Sequence, residues 1–186
     1  MSTLTKAAGF DDIDLATRLD GVAQNRSKVN HCYIHFRELS TEVLRHVRDD
    51  RIVAIIEIVS RGNKSGNHAF RKFLDKAVGS LYREIHLLIV DLQPPTPRDP
   101  DGIHAAIWSE IEPDDESPPP KKPLTLVSYL ANQAITAYVE PISVNDTLPD
   151  MPLFLEPERY VNLPLEVTYG ATWKIMPPHV KRLVES

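Results

Sequence analysis

Residues 51–92, RIVAIIEIVSRGNKSGNHAFRKFLDKAVGSLYREIHLLIVDL, carry the pattern that decides the fold. The stretch IVAIIEIV (52–59) is almost continuously apolar and β-branched, which suits a strand buried on both faces. A polar loop, SRGNKSGN (60–67), follows, with Asn67 a suitable helix N-cap. Phe70, Phe73, Leu74, Ala77, Val78 and Leu81 then recur at helical spacing as one apolar stripe. Arg71, Lys72, Asp75 and Lys76 fall outside that stripe. IHLLIVDL (85–92) reads as a second buried strand. Strand, helix and strand at this spacing predict a βαβ unit with parallel strands and a right-handed crossover.

Upstream, HCYIHFREL (31–39) and EVLRHVR (42–48) read as two further strands, with Asp49-Asp50 at the turn into the next. Residues 1–29 are polar and weakly patterned, a weakly ordered lead-in to a single α/β domain over 30–186. From Gln93 onward the composition changes. Two proline-rich, acidic connectors, QPPTPRDPDG and EPDDESPPPKKP, bracket a short helical segment, IHAAIWSEI (103–111). LTLVSYL (124–130) and AITAYVEPISV (134–144) predict a hairpin around Asn132-Gln133. Prolines make DTLPDMPLFLEPERYVNLP an extended tail, because each removes a donor and fixes φ. PLEVTYGATWKIM is expected to close the chain as a helix. The fold class expected is α/β (α+β): a mixed sheet with a strand–helix–strand core, a C-terminal β-hairpin and a proline-rich tail.

Composition narrows the function classes. Against 21 Lys and Arg stand 26 Asp and Glu, a formal charge of −5. There is no global basic field, so a nucleic-acid partner would need a local patch, and a protein partner is the other reading. With one cysteine, Cys32, no intrachain disulfide forms, which points to a reducing, cytoplasmic setting. No apolar run approaches the ~20 residues of a membrane helix, so no membrane partner is expected.

The candidate site rests on two acids. Glu57 and Asp91 are each the lone carboxylate near the C-terminal end of a buried strand, where open α/β sheets collect ligands. Glu57 shares its strand face with Val53, Ile55 and Val59. A carboxylate there is strongly destabilised unless it meets a cation or a metal. Lys64 can fold back from the loop, and Lys76 reaches from the helix. The plainer alternative is that both acids face water or pair with a lysine and do nothing more. His31 and His35 share a strand face but sit about 13 Å apart in an extended strand, too far for one metal. Cys32 reads as a small core residue, and His104 and Trp108 are spaced to stack on one another.

Several long segments, AIIEIVSRGNKSG, REIHLLIVDLQPPTPRDPDGIHAAIWSEI, PLTLVSYLA and TAYVEPISVNDTLPDMPLFLEPERYVNLPLEVTY, resemble the bacterial family called domain of unknown function 4058. The resemblance runs from about residue 30 to the end. Family members tend to be longer and carry proline at the position of Arg61. The family has no assigned activity, so the resemblance implies no reaction. At the level of fold, the strands, the Glu-bearing strand, the helix and the returning strand resemble the core of PD-(D/E)XK nucleases. That likeness implies a Mg²⁺-dependent phosphodiesterase acting on nucleic acid, with metal ligands Asp50, Glu57 and Asp91 and catalytic residues Glu57, Lys64 and Lys76. Val59 stands where the motif has its lysine, so the lysine must come from the loop or the helix. The alternative is a non-catalytic interaction or scaffold domain on the same fold, binding through its hairpin half.

Overall fold

The structure, a computed structural model, describes residues 27–29, 32–38, 41–46, 49–115, 118 and 120–184. Seven strands make one mixed sheet in sequence order: β1 (Ser27–Val29), β2 (Cys32–Glu38), β3 (Thr41–His46), β4 (Ile52–Ile58), β5 (His86–Asp91), β6 (Leu124–Leu130) and β7 (Thr136–Ile142). β4 and β5 run parallel, and the other neighbours are antiparallel. The parallel pair is the one that needs a crossover, and α1 (Asn67–Leu81) supplies it. Residues 27–29, read from sequence as part of the lead-in, pair with β2, and residues 1–26 lie outside the described residues.

Five of the six stripe residues, Phe70, Phe73, Leu74, Ala77 and Leu81, are buried against the sheet, and Val78 is half-buried at its margin. They pack with Val43, Ile55, Val59, Leu87 and Ile89, and with Ile103 and Ile107 of α2 (Gly102–Trp108). The cap differs from expectation. Gly66 is the N-cap residue, in extended backbone, and no side chain caps the helix. Asn67 instead turns its Oδ1 to Arg98, accepting from Nε at 3.0 Å.

The opposite sheet face is covered by the tail. The segment expected to be merely extended pairs as a hairpin, β8 (Met151–Glu156) with β9 (Arg159–Leu163). Pro157 sits in the turn between them, where its fixed φ is an asset. Met151, Leu153, Leu155, Val161 and Leu163 pack on Leu44, Ala54, Ile56, Leu88, Val90, Leu124 and Leu126. The mixed sheet therefore has helices on one face and a hairpin on the other. α3 (Leu165–Ile175) and α4 (Pro178–Val184) follow. Among the described residues, no helix is long and apolar enough to cross a membrane.

Two histidines are built into this core in the neutral form. His86 Nδ1 accepts from the Ala131 N–H at 3.1 Å, and the ring meets the Phe154 ring edge-on. His104 stacks on Trp108, with ring centroids 5.7 Å apart, and lies 2.8 Å from the Tyr129 hydroxyl. Burial lowers both from 6.5 to about 4, helped at His86 by the Arg51 charge and opposed at His104 by Asp115. The unfolded chain protonates these rings near pH 6.5, whereas the folded chain resists until about 4. Their contribution is thus complete above pH 6.5 and is lost as pH falls toward 4. Raised carboxyls at Asp91 and Glu42 act the other way, because the folded chain holds those protons more tightly. The urea midpoint should therefore begin to fall below pH 6.5, and a His86→Asn, His104→Gln variant should show a flatter profile over that window.

Candidate functional site

The C-terminal ends of β4 and β5 form one rim of the sheet. Glu57 pairs in register with Ile89, two residues before Asp91, so both acids point to the helix face. Each is buried, and each has its own lysine.

Glu57 forms an ion pair with Lys76 of α1. Thr41, its register partner on β3, donates its hydroxyl to Glu57 Oε2 at 3.0 Å. The same hydroxyl accepts from Lys76 Nζ at 3.0 Å, closing a three-membered ring of side chains. The Glu57 side chain is 6% exposed and that of Lys76 is 43% exposed. The pair thus straddles the boundary between core and solvent. It forms one wall of a pocket of about 350 Å³, lined also by Asn63, Phe73 and Lys72.

Lys64 goes elsewhere. Asn63 folds the loop back on itself, its Oδ1 accepting from the Ser60 N–H and hydroxyl, both at 2.8 Å. This turn drives Lys64 inward, where its ammonium lies 2.7 Å from Asp91 Oδ2 and 2.7 Å from Asp99 Oδ2. It also donates to the Gln93 carbonyl at 3.2 Å. All three charged side chains are at most 3% exposed. One positive charge thus serves two buried carboxylates. Burial raises the Asp91 carboxyl above its ordinary value, against the hydrogen bond and charge of Lys64. Asp99 is held in turn by Thr96, whose backbone N–H donates to its Oδ1 at 2.8 Å. The triad pins the loop after β4 to the connector after β5.

The five residues nominated from sequence are therefore distributed as follows. Glu57 and Lys76 meet in the pocket. Lys64 and Asp91 meet beside it, with Asp99. Asp50 stands apart, in the turn before β4, with a positive φ of 58° that suits a turn aspartate. Seven strand residues at ~3.3 Å each put it roughly 23 Å from Glu57, beyond any shared metal. Among the described residues, no three His, Cys, Asp or Glu side chains gather as a metal site. His31 lies outside the described residues, and Cys32, Tyr33 and His35 are described only through the backbone of β2.

Sequence reasoning missed Thr41 and Asp99. Thr41 falls in the gap between the strands read at 31–39 and 42–48, yet it opens β3. Asp99 was hidden in a proline-rich connector, where the spacing Thr96-Pro-Arg-Asp99 was the available sign of a hydroxyl–carboxylate turn. Comparison with family models, with curated proteins and with solved structures finds no match to this chain.

Proposed function

We propose that the chain is a binding module on a PD-(D/E)XK-like core, whose rim pocket recognises a phosphate-bearing ligand without cleaving it. The observation that carries this reading is the donor set of the pocket. Two lysines, Lys72 and Lys76, line it with a single carboxylate, Glu57, which leaves one net positive charge. Asn63 and Thr41 add neutral polar groups on the same walls. Ammonium groups beside the Asn63 amide suit a phosphate, for which lysine acts as a point charge.

The nuclease-like reading of the fold is supported by the connectivity β2-β3-β4-α1-β5 and by an acid on the strand that leads into the helix. The same segments that resemble the family called domain of unknown function 4058 run through this core, and that family brings no reaction with it. Mg²⁺ is served by oxygen ligands in near-octahedral order, typically one or two carboxylates with substrate phosphates. The residues present fit that poorly. A cation at Glu57 would have to displace Lys76, the register neighbour is a threonine, and Asp91 is engaged by Lys64. One observation favours a Mg²⁺-dependent phosphodiesterase as the second reading: Glu57 and Asp91 share one face of one rim.

Pyrophosphate, titrated while the melting temperature is followed, separates the two. The expected result is a saturable rise in wild type, because a ligand that binds only the folded state stabilises it. Lys72 is exposed, so Lys72→Ala should melt near wild type yet lose most of the pyrophosphate response. An equal response in Lys72→Ala, or none in wild type, would overturn the reading. Cleavage of single- or double-stranded DNA or RNA that needs Mg²⁺ and is lost in Glu57→Gln would establish the second reading instead.

A further inference from the structure

At the far edge of the same sheet, β7 is the last strand, and no described residue pairs with its outer side. Proline has no N–H to give a ladder, so Pro141, opposite Thr125, directs its nitrogen away from β6. Parity along an antiparallel strand then turns the N–H and C=O groups of Ala137 and Val139 outward as well. Beside this edge, on the helix face, runs a groove of about 980 Å³ between α2 and β7. His104, Trp108, Pro113, Ile135, Val139 and Pro141 give it an apolar lining.

Acids outnumber cations around the groove, although Glu110 already pairs with Arg71 and Asp115 accepts from the Trp108 indole N–H. Asp101, Glu110, Glu112 and Asp115 are exposed along it, and Arg98 is the one cation among its lining residues. Arg98 is already engaged, donating to Asn67 and to the Lys64 carbonyl. Two copies meeting edge to edge would bring two acidic rims together, and Glu140 and Pro141 blunt the edge further. A strand of opposite charge meets no such penalty.

We infer that the outer edge of β7 and the adjoining groove receive an extended, basic segment of a partner protein, which adds to the sheet as an eighth strand. Its backbone pairs with Ala137 and Val139. Alternate side chains enter the groove toward Trp108 and Val139, which favours apolar residues there. The intervening lysines or arginines face the acids of the rim, so association is salt-sensitive and charge-selective. Pro141 supplies no donor and sets one end of the pairing. This site is independent of the rim pocket at Glu57.

The test uses three blocked octapeptides: alternating Val and Lys, alternating Val and Glu, and the Val/Lys peptide N-methylated at alternate residues. The chain has two tryptophans, so a Trp173→Phe background leaves Trp108 in the groove as the fluorescent reporter. The Val/Lys peptide is expected to change that fluorescence saturably, with affinity falling as salt rises. An Asp101→Lys, Glu112→Lys variant with an unaltered melt should weaken it by about tenfold or more. N-methylation should weaken it comparably, because it removes the backbone pairing, and amide exchange at Ala137 and Val139 should slow only with the active peptide. The inference is overturned by no saturable change, by equal binding of the Val/Glu or N-methylated peptide, or by self-association of the chain that Val139→Lys abolishes.

Discussion

Removing residues 150–186 is expected to abolish cooperative folding. The tail carries Met151, Leu153, Phe154, Leu155, Val161 and Leu163, each at most 7% exposed. Burying one such side chain contributes about 1.5–3 kcal/mol. Six together match or exceed the whole net stability of a typical domain, about 5–15 kcal/mol. The loss is compounded because Leu88, Leu126 and Ala54, fully buried beneath the hairpin, would face water. Far-ultraviolet circular dichroism of the truncated chain should show no sigmoidal melt, and the chain should self-associate. A milder version, Leu153→Ala, should cost about 2–5 kcal/mol. A truncated monomer that melts cooperatively within a few degrees of the full chain would show that the hairpin is dispensable.

The second large effect belongs to Lys64. Lys64→Met keeps the stem and removes the ammonium, leaving Asp91 and Asp99 buried without their shared cation. Breaking a buried ion pair on one side costs about 3–5 kcal/mol, since the partner charge is left uncompensated. The loss should be greatest near neutral pH and shrink in acid, where Asp91, whose carboxyl burial raises above its ordinary value, takes up a proton. Denaturant unfolding at two pH values measures both points. Adding Asp91→Asn and Asp99→Asn to Lys64→Met should recover part of the stability, because the stranded charges are then gone. A Lys64→Met protein as stable as wild type would mean that the triad contributes nothing net. That outcome would also free Lys64 for a chemical role.

How much of this was legible in the sequence follows from where each interaction lies along the chain. The β4–α1–β5 unit was readable because a two-sided apolar run and a clean helical stripe are local signals, decided within one element. That Glu57 needs a cation was also readable, from the apolar neighbours on its strand face. Which lysine answers it was not. Lys64 is seven residues from Glu57 and Lys76 is nineteen, yet the nearer one is carried off by the Ser60–Asn63 turn to meet Asp91 and Asp99. Chain distance does not rank such partners; the backbone path does. The β8–β9 hairpin was hidden for a different reason. Its prolines argue against a strand residue by residue, but Pro157 falls in the turn and Pro152 occupies a position of a two-stranded sheet that tolerates a missing donor. The hairpin forms because its apolar residues have a bare sheet face to cover, a fact that resides in the rest of the chain.

Glu57 is matched by Lys76 and Thr41, and one melting series tests that directly. Wild type and Glu57→Gln are heated with and without Mn²⁺ or Mg²⁺. The expected result is a loss of about 1–2 kcal/mol in Glu57→Gln, from the ion pair and its hydrogen bond, equal in size with and without metal. Wild type should show no metal-dependent rise. A rise in wild-type melting temperature that Glu57→Gln abolishes would contradict the account, because it would make Glu57 a metal ligand that Lys76 merely guards.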